Sequence, residues 1–219
     1  LTPILMLTGL VAQQLPADSR PRKDLAVVEQ AAKRARDLVR QILAFSRKQD
    51  ADKRWIDLGE TLRSSMPMLR AMLLPNVALV LEAPPVPSVF ADPTQVHQIL
   101  LNLISNAAHA IGSAQGRITI ALEHAPGQGY VSLHVTDTGS GMDKAVLDRL
   151  FDPFFTTKPV DQGSGLGLSV VHGIVSNHGG RISVESAPGR GARMTIELPT
   201  GIESRPTGKV ELQAPAGRV

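Results

Sequence analysis

The stretch Pro93–Ile111, PTQVHQILLNLISNAAHAI, decides how the rest of the chain is read. Asp92 stands ahead of it as an N-cap, and proline takes the first helical position, where its missing N–H costs nothing. Inside this predicted helix Asn102, Asn106 and His109 recur at steps of four and three against Leu100, Leu101, Leu103 and Ile104. At about 100° per residue the three polar groups share one face. Burying an unpartnered amide or imidazole costs about 1–3 kcal/mol, so that face must meet partners. A metal-bound polyphosphate supplies them, since an Asn oxygen is a neutral ligand suited to Mg²⁺. Hydrogen bonds to a neighbouring loop or strand supply them equally well.

Two glycine-bearing segments follow. In Val135-Thr136-Asp137-Thr138-Gly139-Ser140-Gly141-Met142 a carboxylate closes a predicted strand and Gly-x-Gly comes after it. A carboxylate there accepts the exocyclic amine of adenine, while glycines let the backbone approach a flat base. The same residues also make a good turn, and the further ligands of a calcium loop are missing. Gly163-Ser164-Gly165-Leu166-Gly167-Leu168 runs into a second predicted helix, Leu166–Asn177. Free N–H groups at a helix start bind phosphate, although such a run also serves as a plain hinge. No Lys-Ser/Thr pair makes it a Walker loop, and no βαβ unit makes it a dinucleotide fold. Between the two lies Phe151-Asp152-Pro153-Phe154-Phe155-Thr156-Thr157-Lys158, with three of the chain's five Phe residues. An aromatic anchor beside glycines suggests a lid over a ligand, or a loop pinned by a small apolar cluster.

Working outward, the spacing predicts strands at Trp55–Leu58, Val77–Leu81, Arg117–Glu123, Tyr130–Asp137, Arg181–Glu185 and Arg193–Leu198. A helix over Gly59–Leu74 is expected to break or bend near Pro67. Helices gathered on one face of a mixed, mainly antiparallel sheet give an α+β fold, a two-layer α/β sandwich. Upstream, Leu25, Val28, Ala32, Ala35, Val39 and Ile42 advance by alternating threes and fours, with Leu38, Leu43 and Phe45 widening the stripe. That is the seam of a helical bundle. Leu1–Leu15 reads as a shorter helix and Pro16–Pro21 as the turn between, an antiparallel hairpin. The expected organisation is a hairpin over 1–53, a catalytic domain over 54–199 and a flexible tail over 200–219.

Composition narrows the field. Hydrophobic residues make up 42% of 219 and aromatics 3%, so the core is aliphatic. Cysteine is absent, which excludes disulfides, thiolate zinc sites and cysteine nucleophiles. A net charge of +3 without a basic run or interleaved aromatics lacks the footprint of a nucleic-acid binder. No apolar stretch reaches the roughly 18–20 residues of a membrane span, and Leu1–Leu15 lacks the features of a signal peptide. A cytoplasmic location is expected, with any membrane attachment through parts of a parent protein outside these residues.

The order of the motifs resembles the Bergerat-type ATPase domain shared by histidine kinases, heat-shock-90 chaperones, type II topoisomerases and mismatch-repair proteins. Within that group it is most similar to the sensor histidine kinases, because Asn102 stands where hydrolysing relatives place a water-activating Glu. Leu1–Leu5 and Leu38–Arg47 resemble the two helices of the kinase dimerisation hairpin. The resemblance implies an ATP-dependent protein histidine kinase, with ATP and Mg²⁺ as ligands. It implies Asn106 as the Mg²⁺ ligand and Asn102 and His109 near the phosphates. Asp137 would hold adenine in a pocket shaped by Gly139 and Gly141. Gly163, Ser164, Gly165, Leu166 and Gly167 would surround the triphosphate, and Lys158 would reach it on lid closure. It also implies a homodimer and a response-regulator receiver domain as partners. Two departures stand out. Gly191-Ala192-Arg193-Met194 lacks a hydroxyl usual near the base, and none of His97, His109, His124, His134, His172 or His178 has an acceptor's acidic neighbour. The phosphoacceptor is therefore expected before Leu1, no catalytic acid–base residue can be named, and these residues alone are not expected to autophosphorylate. The competing expectations are an ATP-hydrolysing clamp and a non-catalytic dimer scaffold with a vestigial nucleotide site.

Overall fold

The computed structural model describes residues 2–16, 19–29, 31–32, 51–158 and 164–201. Seam positions Ala35, Leu38, Val39, Ile42, Leu43 and Phe45, together with Gly163 and the tail from 202, lie outside the described residues. The chain forms two compact units, one of Asp52–Arg149 with Ile174–Val219 and one of Leu1–Ala51 with Leu150–Gly173.

In the first unit β1 (Arg54–Ile56) pairs antiparallel with β3 (Val89–Ala91). The main sheet has the order β2 (Val77–Glu82), β4 (Gly116–Glu123), β5 (Tyr130–Asp137), β7 (Ala192–Pro199), β6 (Arg181–Ser186). Only β2–β4 is parallel, which makes the sheet mixed and mainly antiparallel, as expected. Alternation builds the core: Ile118, Ile120 and Leu122 of β4, Val131, Leu133 and Val135 of β5, and Ala192, Met194, Ile196 and Leu198 of β7 are all buried. Helix α4 (Pro93–Ile111) packs on β4 and β5, and α3 (Leu58–Ala71) packs on α4 and β2. Burying Ile99, Leu100, Leu103 and Ile104 of α4 and Leu58, Leu62 and Leu69 of α3 stabilises this layer by about 1.5–3 kcal/mol per side chain.

α4 spans the predicted residues, with Asp92 Oδ1 accepting from Thr94 N–H at 2.8 Å. α3, in contrast, runs through Pro67 without interruption. Proline there removes one backbone bond, while the stripe Leu62, Met66 and Leu69 stays buried on both sides of it. Its N-terminus is fixed by Asp57 Oδ1, which accepts from Glu60 N–H at 3.0 Å. Asp57→Ala is expected to lower stability by about 1 kcal/mol, read as a lower urea midpoint at unchanged slope. Two short elements escaped periodicity: β3, three residues between Pro87 and Asp92, and α5 (Lys144–Leu147), capped by Asp143.

The second unit holds α1 (Thr2–Gln13), whose start explains why Pro3 is tolerated, and α2, where residues 20–29 and 31–32 are helical. The connection is shorter than the predicted Pro16–Pro21. Ser19 N–H donates to Pro16 O at 3.1 Å and Pro21 falls inside the first turn of α2, the place proline fits best. Helix α6 (Gly167–Asn177) ends before Gly179, which takes a left-handed φ of 68°. No helix among the described residues is long and apolar enough to cross a membrane.

Candidate functional site

Asp137 ends β5 and turns its carboxylate back on the loop that follows. Its Oδ1 accepts from Gly139 N–H at 2.8 Å. Burial pushes its pKa above the ordinary carboxylate value, and the backbone N–H groups of Gly139 and Ala192 offset part of that rise. The loop itself is sewn to three elements. Thr138 N–H donates to Arg117 O at 3.2 Å, Ser140 N–H to Ala110 O at 3.0 Å, and Gly189 N–H to Ser140 O at 2.7 Å. Met142 N–H reaches Ser186 Oγ at 2.9 Å, and that hydroxyl donates to Gly191 O at 2.6 Å.

Glycine is required here by contact as well as conformation. A Cβ on Gly139 would lie 2.7 Å from the carbonyl carbon of Ala110 at the end of α4. Gly141, at φ 67°, faces the Ala187 carbonyl, and Gly191, at φ 70°, faces the Asp137 carbonyl, each too closely for any side chain. The β6–β7 hairpin thus closes on the Asp137 loop through its backbone.

On α4 the polar face is less buried than the sequence argument required. Asn102 and Asn106 are half-buried and His109 is exposed. Asn102 Nδ2 donates to Gln98 O at 2.8 Å and His109 Nδ1 lies 2.5 Å from Ser105 O, so the helix's own carbonyls satisfy part of each group. The three residues do share a helix with Ala110, the residue on which the Asp137 loop closes.

In the other unit the ring of Phe151 packs on His172 with centroids 5.4 Å apart, which makes Phe151 the anchor of its segment. Phe154 is not an anchor. It is 61% exposed and held at φ 68°, its N–H donating to Gly165 O at 3.0 Å. Gly165, at φ 67°, presses on the Phe154 carbonyl, so the Phe-rich segment and the glycine run are joined at this point. Leu166 is buried, and its N–H is oriented to Ser164 Oγ at 3.4 Å. Gly167 is the first residue of α6. Burial lowers the Lys158 pKa from the ordinary lysine value.

A feature the sequence did not single out lies on the solvent face of the sheet, a cavity of about 810 Å³ around His134, lined by Glu123, Ser132, Arg193 and Thr195 among others. His134 is buried there through bonds to Glu123 Oε2 at 3.2 Å and Thr195 Oγ1 at 3.0 Å. None of the expected site residues lines it.

The profile of the "Histidine kinase-, DNA gyrase B-, and HSP90-like ATPase" family matches residues 91–202, which include α4, the Asp137 loop and the glycine run. The chain belongs to this family. The relatives that it matches include several sensor histidine kinases. It is 37% identical over 206 residues to the sensor histidine kinase ZraS of Klebsiella oxytoca, covering 90% of this chain and 43% of that protein. Less than half of that relative is therefore represented. Among solved structures, a mycobacterial sensor histidine kinase, MprB, superposes with a TM-score of 0.59 at 28% identity, over 67% of this chain and 97% of that one. The histidine kinase ThkA, solved in complex with the response regulator protein TrrA, superposes with a TM-score of 0.65 at 26% identity, over 90% of this chain and 57% of that one. The mixed sheet with helices packed against it is the ATPase fold of histidine-kinase catalytic domains, and this chain carries such an ATP-binding core.

Proposed function

We propose that the protein transfers the γ-phosphoryl group of ATP to a histidine on a helical hairpin, and that the group passes from there to an aspartate of a response-regulator receiver domain. The observation that carries this reading is the Asp137 corner, a partly buried carboxylate beside three glycines whose contacts exclude side chains. Asp137 accepts the adenine amine, with Gly139 and Gly141 shaping the pocket. The triphosphate lies against the N–H groups from Gly163 through Ser164, Gly165 and Leu166 to Gly167, where the start of α6 favours anionic charge. Asn102, His109 and Lys158 are the side chains assigned to the phosphates. Among the described residues no three His, Cys, Asp or Glu side chains group to hold a metal, so Mg²⁺ would depend on the Asn106 amide oxygen together with phosphate oxygens. When bound, Mg²⁺ supplies neutralisation of phosphate charge. The residues of this chain position and desolvate, which is most of what phosphoryl transfer asks of a protein.

The domains divide near 53 and 199, with residues 200–219 as a tail. A homodimer is supported by the helices of the second unit: Met6, Leu7, Leu10 and Val11 on α1 and Val27 and Val28 on α2 stand exposed, an apolar surface that a second copy would cover. The site belongs in the cytoplasm, where ATP is available.

Titrating Mg-ATP into the chain tests the reading: heat for one site per chain is expected, without steady hydrolysis. No heat at millimolar nucleotide would leave a scaffold with a vestigial site. The raised Asp137 pKa adds a pH signature. Affinity is expected to fall as acidification protonates Asp137, starting above the ordinary carboxylate range, because the adenine amine loses its charged acceptor. In Asp137→Asn that acid limb is expected to be absent from calorimetric affinities.

A further inference from the structure

Asp92 does more than cap α4. Its Oδ1 accepts from Thr94 N–H, its Oδ2 accepts from Asp52 N–H at 3.2 Å, and its own N–H donates to His178 Nε2 at 3.0 Å. Segments far apart in the chain therefore converge on one residue: the lead-in to the catalytic domain at Asp52, the start of α4, and the residue just beyond α6. Lys53 closes the same corner, its Nζ donating to Asn177 O at 2.5 Å. Asp92 and His178 are both buried, with 8% and 6% of their surface exposed, so these bonds are made where water does not replace them.

The geometry fixes the protonation of the ring. His178 Nδ1 lies 2.8 Å from Ile174 O, and a carbonyl only accepts, so Nδ1 carries the proton. Nε2 must then accept, because its partner is a backbone N–H.

We propose that Asp92 and His178 form a proton-sensitive joint, positioning residues that lock the lead-in segment Asp52–Arg54 to the start of α4 and the end of α6. α4 carries the two asparagines assigned to phosphate and Mg²⁺, and α6 begins at the glycine run, so a change at the lead-in reaches both helices through this joint. That consequence rests on the proposed nucleotide site, whereas the joint itself does not. A proton added to Nε2 would set donor against donor at Asp92 N–H and open the contact. The charged groups acting on the ring are Lys53 from the lead-in, which opposes protonation, and Asp92 from the β3–α4 junction, which favours it. Burial is the largest influence and keeps the ring neutral below the ordinary histidine range. Because the folded pKa is depressed, the unfolded chain binds the extra proton first as pH falls, and the stability supplied by the joint is lost from the ordinary histidine value downward.

Two measurements test this on the chain as it stands. Nitrogen-15 spectra of the histidine rings at neutral pH should find His178 protonated at Nδ1 and bare at Nε2. The chain's single tryptophan, Trp55, sits in β1 directly after the lead-in and packs on Phe90 at 5.4 Å, so its emission reports on the joint. Wild-type emission should shift on acidification below the ordinary histidine range while circular dichroism stays constant. His178→Gln, whose amide oxygen accepts from Asp92 N–H without titrating, should abolish that shift. A proton on Nε2, or an undiminished Trp55 titration in His178→Gln, overturns the proposal. Should that variant fail to fold, the ring spectrum of the native chain decides alone. Neither readout uses nucleotide, so a failure of ATP binding would count against the proposed function and not against the joint.

Discussion

Asp137→Asn is expected to weaken ATP binding by about ten- to a hundredfold while the fold is kept. A hydrogen bond to a charged acceptor contributes about 1.5–3 kcal/mol, which converts to that range of affinity. The substitution separates the two tasks of the carboxylate. Asn keeps an oxygen for the Gly139 N–H, now 2.8 Å from Oδ1, so the loop stays in place. The second carboxylate oxygen becomes an NH₂ group, which faces the adenine amine or the Ala192 N–H as donor against donor. Stability moves the other way. Burial raises the Asp137 pKa, so ionisation in the folded state costs stability as pH rises from the ordinary carboxylate value through the raised one. A neutral amide escapes that cost, and the thermal midpoint at neutral pH should hold or rise slightly. Calorimetry for affinity and circular dichroism for the midpoint check both halves. Equal affinity in variant and wild type would remove Asp137 from the site.

Why the elements around Asp137 were legible in the sequence only in part follows from the range of the interactions. α4 was legible from Pro93 to Ile111 because its cap, its first-position proline and its apolar period all act within a few residues. β5 was legible for the same kind of reason, through strict alternation from Tyr130 to Asp137. β3 was missed because three residues carry no period, and its burial comes from pairing with β1, more than thirty residues earlier. The helix carbonyls of Gln98 and Ser105, which satisfy part of Asn102 and His109, are invisible to an argument that counts buried polar groups on a wheel. Which Phe anchors the segment could not be read from the sequence, because composition alone cannot tell a packed ring such as Phe151 from one displayed to solvent such as Phe154. The glycines were found, but which carbonyl each one faces depends on segments brought together only by the fold.

Gly141→Ala tests that last point. Two costs are expected to fall on it together: a left-handed φ of 67°, unfavourable for any residue with a Cβ by about 1–2 kcal/mol, and a methyl group driven onto the Ala187 carbonyl. Relieving the contact means moving backbone, because the obstructing atom is not the end of a flexible side chain. The Gly189–Ser140 and Met142–Ser186 bonds hold both sides of the contact, so the loop cannot shift without losing one of them. Overpacking of this kind adds about 1–3 kcal/mol, for a total loss of roughly 2–5 kcal/mol. Gly189→Ala is the matched control. It also has a positive φ, 74°, but its Cβ would meet no atom within 4 Å, so it should cost only the conformational part. Urea denaturation should therefore rank Gly141→Ala well below Gly189→Ala, and calorimetry should find ATP binding lost in the first and retained in the second. If the two variants proved equally stable and bound ATP equally, the close approach of the β6–β7 hairpin to the Asp137 loop would not be what shapes the adenine pocket.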